Sequence, residues 1–325
     1  MDITFRMPAG WFNLRAAAVI LHDGKILAMK DDNSPYYYIP GGRVALHETA
    51  EEAVIREVRE ELGVEARIDR ALWLNQGFFN EDVTHVDFHE TALYFLIDIS
   101  ATDLLSRGES FLQQEGRRVH RFRWLPIDQL KDTYFYPLFL KAHLLNLPHA
   151  LTCLVSAENE LPAPQNDLAF DTEEGSFVLR TCGIFLHDGR VLAVENEGLP
   201  GYHLPGGRVK LHEDFDAALH RELHEELGMD CRAARHLWFD QRFYPDPTTG
   251  VRHHELCLYT LMDPPDALLR RGDAFTHHDG QRMQTFRWLP LSGTEQVYPA
   301  WILPQLHALP AHLDMLTHFA SQRKD

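Results

Sequence analysis

Gly41-Gly-Arg-Val-Ala-Leu-His-Glu48-Thr-Ala-Glu-Glu-Ala-Val-Ile-Arg56-Glu57-Val-Arg-Glu60-Glu61-Leu-Gly63-Val64 is answered, further along the chain, by Gly206-Gly-Arg-Val-Lys-Leu-His-Glu213-Asp-Phe-Asp-Ala-Ala-Leu-His-Arg221-Glu222-Leu-His-Glu225-Glu226-Leu-Gly228-Met229. The spacing predicts a helix over 50–62, closed by Gly63. At 3.6 residues per turn, Glu57, Glu60 and Glu61 fall within roughly 100° of arc and share one face. Ile55, Val58 and Leu62 are expected on the opposite, core-facing side. Three carboxylates on one face repel one another unless cations sit among them. Hard oxygen ligands suit Mg²⁺ or Mn²⁺, held partly by water and partly by substrate phosphates. Arg56 can pair with a neighbouring carboxylate and fix its orientation, and Gly41-Gly42 lets backbone come close. An E-x-x-E-E run on a helix is usually a solvated face; here the same spacing of Gly, Glu, Arg, Glu, Glu, Glu and Gly recurs intact, after Pro-Gly-Gly each time, which argues otherwise.

From Tyr37 to Val64 and from Tyr202 to Met229, 16 of 28 positions are identical. That density, with matches on both sides, makes this a duplicated domain rather than a short repeat. His22-Asp-Gly24 returns as His187-Asp-Gly189 and Leu72-Trp73 as Leu237-Trp238, an offset of 165. Phe122-Arg-Trp-Leu-Pro126 returns as Phe286-Arg-Trp-Leu-Pro290 at 164, and Tyr136-Pro137 as Tyr298-Pro299 at 162, the drift that loop deletions leave. We expect one domain over 1–156, a Pro-containing linker over 157–165 and a second domain over 166–325. Leu14–Leu21 and Lys25–Met29 flank Asp23-Gly24 as a hairpin, Thr91–Asp98 and Arg121–Leu125 read as strands, and Pro137–Leu147 reads as a second helix. Strands and helices without a βαβ rhythm point to the α/β class, with a mixed sheet covered by helices in each half.

The formal charge of the 325-residue chain is −17, from 31 basic against 48 acidic residues. Such a surface repels phosphate backbones, so we expect no nucleic-acid partner and no binding to an anionic membrane. It does not forbid a small phosphorylated ligand when cations bridge the two. The longest apolar runs are strand-length, and Met1–Arg6 shows no signal-peptide pattern. Four cysteines without a C-x-x-C pair read as reduced thiols, and the expected location is cytoplasmic.

Both quoted stretches resemble the Nudix box, G-x5-E-x7-R-E-U-x-E-E-x-G-U with U aliphatic, at every specified position, over 42–64 and 207–229. Around the boxes each half resembles a complete Nudix domain. The resemblance implies two Nudix-fold domains, each an α/β/α sandwich with a mixed β-sheet and the box as a loop–helix–loop. It implies hydrolysis of a nucleoside diphosphate linked to another moiety, with Mg²⁺ or Mn²⁺, one or more ions per domain. Glu57, Glu60 and Glu61 match the family's metal-binding glutamates, as do Glu222, Glu225 and Glu226. Glu48 and Glu213 match the first glutamate of the box, Arg56 and Arg221 its arginine, and the carbonyls of Gly41 and Gly206 a backbone ligand. The expected substrate is a small nucleotide such as ADP-ribose, a dinucleoside polyphosphate or a nucleoside triphosphate. The alternative is that one or both copies bind a nucleotide as sensor or scaffold without turnover.

Glu115 and Asp279, each before a glycine and shortly before the Phe-Arg-Trp strand, are candidates for a general base or an extra ligand. An exposed turn acid is an equally good reading. Arg15, Arg43, Arg180 and Arg208 are candidate phosphate clamps, with structural salt bridges as the alternative. Phe79 and Tyr244 follow the boxes and could stack on a base, although aromatic residues in sheets are more often core. Glu90 and Glu255 also match, as strand residues with a structural reading. Copy two has Pro245 where copy one has Asn80, so the two sites are expected to differ. Duplication across a short linker suggests an intramolecular pseudo-dimer, which solution scattering would check.

Overall fold

The computed structural model describes the chain except residues 33, 159–162, 165, 197–200, 247, 280–281 and 320–325, and the side chains of 279 and 282. Part of the expected linker therefore lies outside the described residues. The chain forms two compact units, Met1–Ala163 (half one) and Pro164–Asp325 (half two). Each is α/β with mixed strand pairing.

In half one the main sheet runs Thr4–Met7, Gly10–Val19, Asp87–Asp98, Arg67–Asn80, Thr152–Ala157, with the short strand Gly41–Arg43 paired beside Gly10–Val19. Gly10–Val19 lies parallel to Asp87–Asp98, which is antiparallel to Arg67–Asn80, which in turn lies parallel to Thr152–Ala157. A second sheet orders Leu21–His22, Lys25–Lys30, Arg118–Pro126 and Ser110–Glu115. Half two repeats these pairings in Gly175–His187, Arg252–Asp263, Arg232–Pro245 and Asp314–Phe319. There the two sheets join, because Gly175–His187 continues unbroken to pair with Arg190–Glu195. The register shifts recur at matching places, Ile68/Arg70 and Ala71/Trp73 against Ala233/Arg235 and His236/Trp238.

The box segments fold as 13-residue helices, Ala50–Leu62 and Phe215–Leu227. Thr49 and Glu52 cap the first reciprocally, and Asp214 caps the second through the Ala217 N–H. Gly63 and Gly228 end them in the left-handed region (φ 67° and 66°), where a Cβ would cost energy. The first helix buries Ala50, Ala53, Val54, Val58, Leu62 and also Glu61. This corrects the expected anchor set: the apolar stripe centres on Val54 and Val58, leaving Ile55 half-buried on its flank and bringing Glu61 to the core's edge. The second expected helix shrinks to Leu140–His143. Around it the turns close by i→i−3 bonds, Leu140 to Pro137 and Lys141 to Leu138, so only one α-turn forms. Trp73, Tyr94, Phe135, Leu130 and Leu140 pack under the main sheet of half one, and Trp238, Tyr259 and Ile302 under that of half two. Among the described residues no helix is long and apolar enough to cross a membrane.

Candidate active sites on the two box helices

Arg56 organises the first box. Its Nε and Nη2 donate to Glu48 Oε1 and Oε2 at 2.7 and 2.9 Å, a bidentate fork. Nη1 reaches Glu57 Oε1 at 2.6 Å and Glu60 Oε2 at 3.3 Å, and Nη2 also donates to the Arg43 carbonyl at 3.0 Å. The Ala45 N–H adds a third bond to Glu48, at 2.9 Å. Burial works against the Glu48 charge, yet Arg56 and that N–H hold its carboxyl below the usual carboxylate range. One guanidinium thus ties the loop before the helix to the helix itself.

Glu61 is 6% exposed and accepts the Gly41 N–H on Oε2 at 2.9 Å. Burial pushes its carboxyl up to about 8, with Glu57 and Glu115 adding to the rise and the Gly41 N–H and Arg15 opposing it. Glu57 is likewise raised, first by burial. Gly41 is needed on steric grounds: a Cβ there (φ 136°) would stand 2.4 Å from the Ala16 carbonyl oxygen, while one on Gly42 would stand 2.2 Å from Glu57 Oε1 and displace that carboxylate.

Half two reproduces this set. Arg221 bonds Glu213 at 2.7 and 2.8 Å, Glu222 at 2.6 Å and Glu225 at 3.4 Å. Glu226 Oε2 accepts the Gly206 N–H at 2.9 Å, and burial again pushes its carboxyl up to about 8. A Cβ on Gly207 would stand 2.2 Å from Glu222 Oε2.

The other candidates divide. Arg15 is brought into the site: its Nη2 donates to the Gly41 carbonyl at 2.7 Å, and half-buried Glu90 is its main charged neighbour. Arg180 lies half-buried, with Glu255 as its main charged neighbour. Arg43 bonds Asn13 at 3.2 Å and Arg208 bonds Asp167 at 3.4 Å, so their structural pairings are with these residues rather than with box carboxylates. Phe79 stacks on Phe88 with centroids 5.4 Å apart, while Phe78 is core. Tyr244 stacks on His253 at 4.9 Å and donates to Glu255 at 3.1 Å. Glu115 ends a strand rather than sitting in a loop, accepts from or shares a proton with His120 Nε2 at 2.7 Å, and contributes to the raised Glu61. Asp279 holds the matching strand position opposite Arg282, but its side chain lies outside the described residues.

Reading the box alone misses the residues behind it. His120 is buried, and its Nδ1 has no hydrogen-bond partner among the described residues. At its place in half two, Gln284 donates directly to Glu226 Oε1 at 3.2 Å. Position 77 is glycine in half one; its counterpart Arg242 ion-pairs with Glu255 and lies over the Tyr244 ring at 4.8 Å. Beside Arg15, half one holds a cavity of about 260 Å³ walled by Tyr36, Tyr38, Phe79 and Tyr136. The signal for His120, Gly77 and Tyr36 was available by comparing the copies outside the box, where these positions disagree with Gln284, Arg242 and Gly201.

Among the described residues no three His, Cys, Asp or Glu side chains already stand as a metal-ligating group. The expected convergence of all three glutamates is thus only partly met: Glu57 and Glu61 meet at the glycine pair, while Glu60 stays exposed, its carboxylate 46% accessible and drawn to Arg56. The donor set still fits a hard divalent cation. Carboxylates crowd at the glycine cradle, and their proton affinity is raised by burial and by that crowding.

The NUDIX domain family model matches twice, over residues 12–142 and 178–304. An ADP-ribose pyrophosphatase of Methanocaldococcus jannaschii is 33% identical over 89 residues, covering 26% of this chain and 50% of that protein. A CTP pyrophosphohydrolase of Escherichia coli is 34% identical over 85 residues, 23% of this chain and 63% of that protein. The chain thus spans about half to two-thirds of the length of these curated relatives. Among solved structures, a MutT NUDIX hydrolase from Burkholderia pseudomallei is 26% identical, with a TM-score of 0.26 over 36% of this chain and 84% of its own. With the domain matched in both halves and an intact box on each, this chain belongs to the Nudix family and carries its domain twice.

Proposed function

We propose that each half is a divalent-metal-dependent hydrolase of a phosphoanhydride bond in a nucleoside diphosphate derivative, by attack of water on phosphorus. The observation that carries this is the pair of matched arginine-tied carboxylate sets, each with a buried glutamate beside a glycine that tolerates no side chain. Glu57, Glu60, Glu61 and the Gly41 carbonyl would hold the metal in half one, and Glu222, Glu225, Glu226 and the Gly206 carbonyl in half two. Bound there, Mg²⁺ or Mn²⁺ supplies positive charge to phosphoryl oxygens and lowers the pKa of water. Arg56 and Arg221 keep the carboxylates aimed by binding the loop glutamate and the helix glutamate together. Arg15 stations a cation between the glycine carbonyl and the cavity, where a diphosphate would pass. Glu115, anchored by His120 on one oxygen, keeps Oε1 to accept the proton of the attacking water while the anhydride P–O bond breaks. The M. jannaschii and E. coli relatives support ADP-ribose and CTP as substrates to test first.

The test is a product-resolved screen with Mg²⁺ and Mn²⁺ over ADP-ribose, nucleoside triphosphates, dinucleoside polyphosphates and nucleotide sugars, run in ¹⁸O-water. Label on one phosphate product and dependence on added metal support the reading. No turnover of any anhydride, with tight nucleotide binding retained, would leave the sensor or scaffold reading in its place.

A further inference from the structure

The cavity of half one is built from tyrosine rings whose hydroxyls are tied to carboxylates. Tyr36 donates to Glu81 at 2.9 Å, and Tyr134 and Tyr136 both donate to Asp82 Oδ2, at 2.6 and 3.0 Å. Tyr38 donates to Asp31 at 3.1 Å. These bonds hold the rings steeply inclined to one another: Tyr36 lies 4.8 Å from Tyr136 at 66°, 5.5 Å from Tyr134 at 76°, and 6.4 Å from Tyr38 at 72°. Tyr36, Tyr38 and Tyr136 all line the cavity, and a phenol bonded to a carboxylate carries a more electron-rich ring. Such an arrangement attracts organic cations.

The charges agree with the rings. Glu81, Asp82, Glu90 and Glu158 line the same cavity of about 260 Å³, and Arg15 is the one basic residue in the lining among the described residues. Arg15 is already engaged by the Gly41 carbonyl and faces Glu90. Glu158 has Asp82 and Lys141 as its charged neighbours. A ligand group entering past Arg15 from the box would leave its phosphates behind at the arginine and meet aromatic faces backed by negative charge.

Half two does not repeat this arrangement. Tyr36 corresponds to Gly201, where a Cβ would strike the Gln296 carbonyl oxygen at 2.6 Å, and Tyr134 corresponds to Gln296, which donates to Tyr298. Gly77 corresponds to Arg242, whose guanidinium stands against Tyr244 and Glu255. One half is acidic and ring-walled where the other already carries its own cation.

We propose that half one selects substrates whose diphosphate is linked to a permanently cationic heteroaromatic ring, such as an N-alkylated pyridine or purine, with Tyr36, Tyr38 and Tyr136 caging the ring and Glu81 and Asp82 supplying the counter-charge. The proposal rests on the hydrolase reading of half one and adds the substrate class. The experiment uses the full chain carrying Glu226→Gln, which removes the buried glutamate of half two, and compares NAD⁺ with NADH, whose nicotinamide rings differ by one positive charge. We expect kcat/KM for NAD⁺ to exceed that for NADH by roughly tenfold, the scale of one partly desolvated cation–π contact. Tyr36→Leu and, separately, Asp82→Asn should each collapse that ratio toward one. Asp82→Asn keeps the hydroxyl-accepting oxygen, so it separates loss of charge from loss of shape. Calorimetric binding of NAD⁺ and NADH without turnover reads the same preference, so the inference can be judged even if half one proves not to hydrolyse either. Equal values for the two rings, or a preference untouched by both substitutions, would overturn the cage. A third arm with CDP-choline distinguishes a ring from a compact quaternary ammonium: faster turnover of CDP-choline than of NAD⁺ would overturn the ring assignment.

Discussion

Around the box arginines the two halves are nearly superimposable in their contacts. The fork to the loop glutamate measures 2.7 and 2.9 Å at Arg56 against 2.7 and 2.8 Å at Arg221, the helix glutamate is at 2.6 Å in both, and the glycine N–H reaches its buried glutamate at 2.9 Å in both. One strand away the agreement ends. Half one puts Gly77, Asn75 and His120 where half two puts Arg242, Asp240 and Gln284. Asp240, 1% exposed, pairs with His318 at 2.7 Å and Trp301 at 3.1 Å, whereas Asn75 bonds Ser156 at 3.0 Å. Ala17 and Ala92 become Cys182 and Cys257, whose sulfurs lie 3.6 Å apart. The difference teaches that the fold fixes the arginine-tied box apparatus and leaves the strands behind it free to diverge in charge. Chemistry is therefore expected to be shared by the halves, and ring recognition to be divided between them.

The comparison breaks most severely if the boxes do not carry the chemistry. Glu61→Gln and Glu226→Gln each keep the shape of a buried glutamate while removing its ability to ionise. Each should disable its own half, and the double variant should lose metal-dependent hydrolysis by on the order of 10³-fold while its circular dichroism stays that of the wild type. Next in size, Gly42→Ala forces the Glu57 carboxylate aside, and Gly207→Ala does the same to Glu222. A displacement of about 1 Å should cost roughly 10²-fold in the half concerned, read as kcat on a substrate that half prefers. If both variants keep full activity, the glycine cradle is only structural.

Smaller effects sharpen the divergence. Arg242→Ala removes the cation ion-paired with Glu255, a carboxylate 5% exposed, and should destabilise half two by about 3 kcal/mol, seen as a lower urea midpoint for the transition of that half. Gly77→Ala is the matched control. Its Cβ would meet Asn75 Nδ2 at 3.4 Å and Phe79 at 3.7 Å, ordinary contacts, so stability should move by no more than about 0.5 kcal/mol. Equal destabilisation by both substitutions would mean that position 77 and its counterpart are under the same constraint, against the divergence described here.

Much of this was legible in the sequence where local rules act without help. The box helix follows from Thr49, Glu52 and Gly63, whose capping is local, and the duplication from the offsets of Trp73 and Phe122 against Trp238 and Phe286. Sequence periodicity could not say that Glu61 would be buried while Glu60 stayed in solvent, because that depends on where the sheet meets the helix. Nor could it show that Arg15 reaches the Gly41 carbonyl, 26 residues away, or that Tyr36 and Tyr136 close one cavity; these are contacts between strands and loops far apart in the chain. The helix expected from 137 to 147 failed for a complementary reason: its apolar residues, Leu140 and Leu144, are buried in the core, but i→i−3 turns suffice to place them.

The central claim, that each half holds its own metal-dependent site, is tested most directly by counting bound Mn²⁺ by electron paramagnetic resonance in the full chain and its Glu61→Gln, Glu226→Gln and doubly substituted forms. The account predicts that each single variant loses the tight binding of one half and keeps that of the other, and that the double variant retains none. Mn²⁺ binding unchanged in the double variant, with the protein folded, would contradict it.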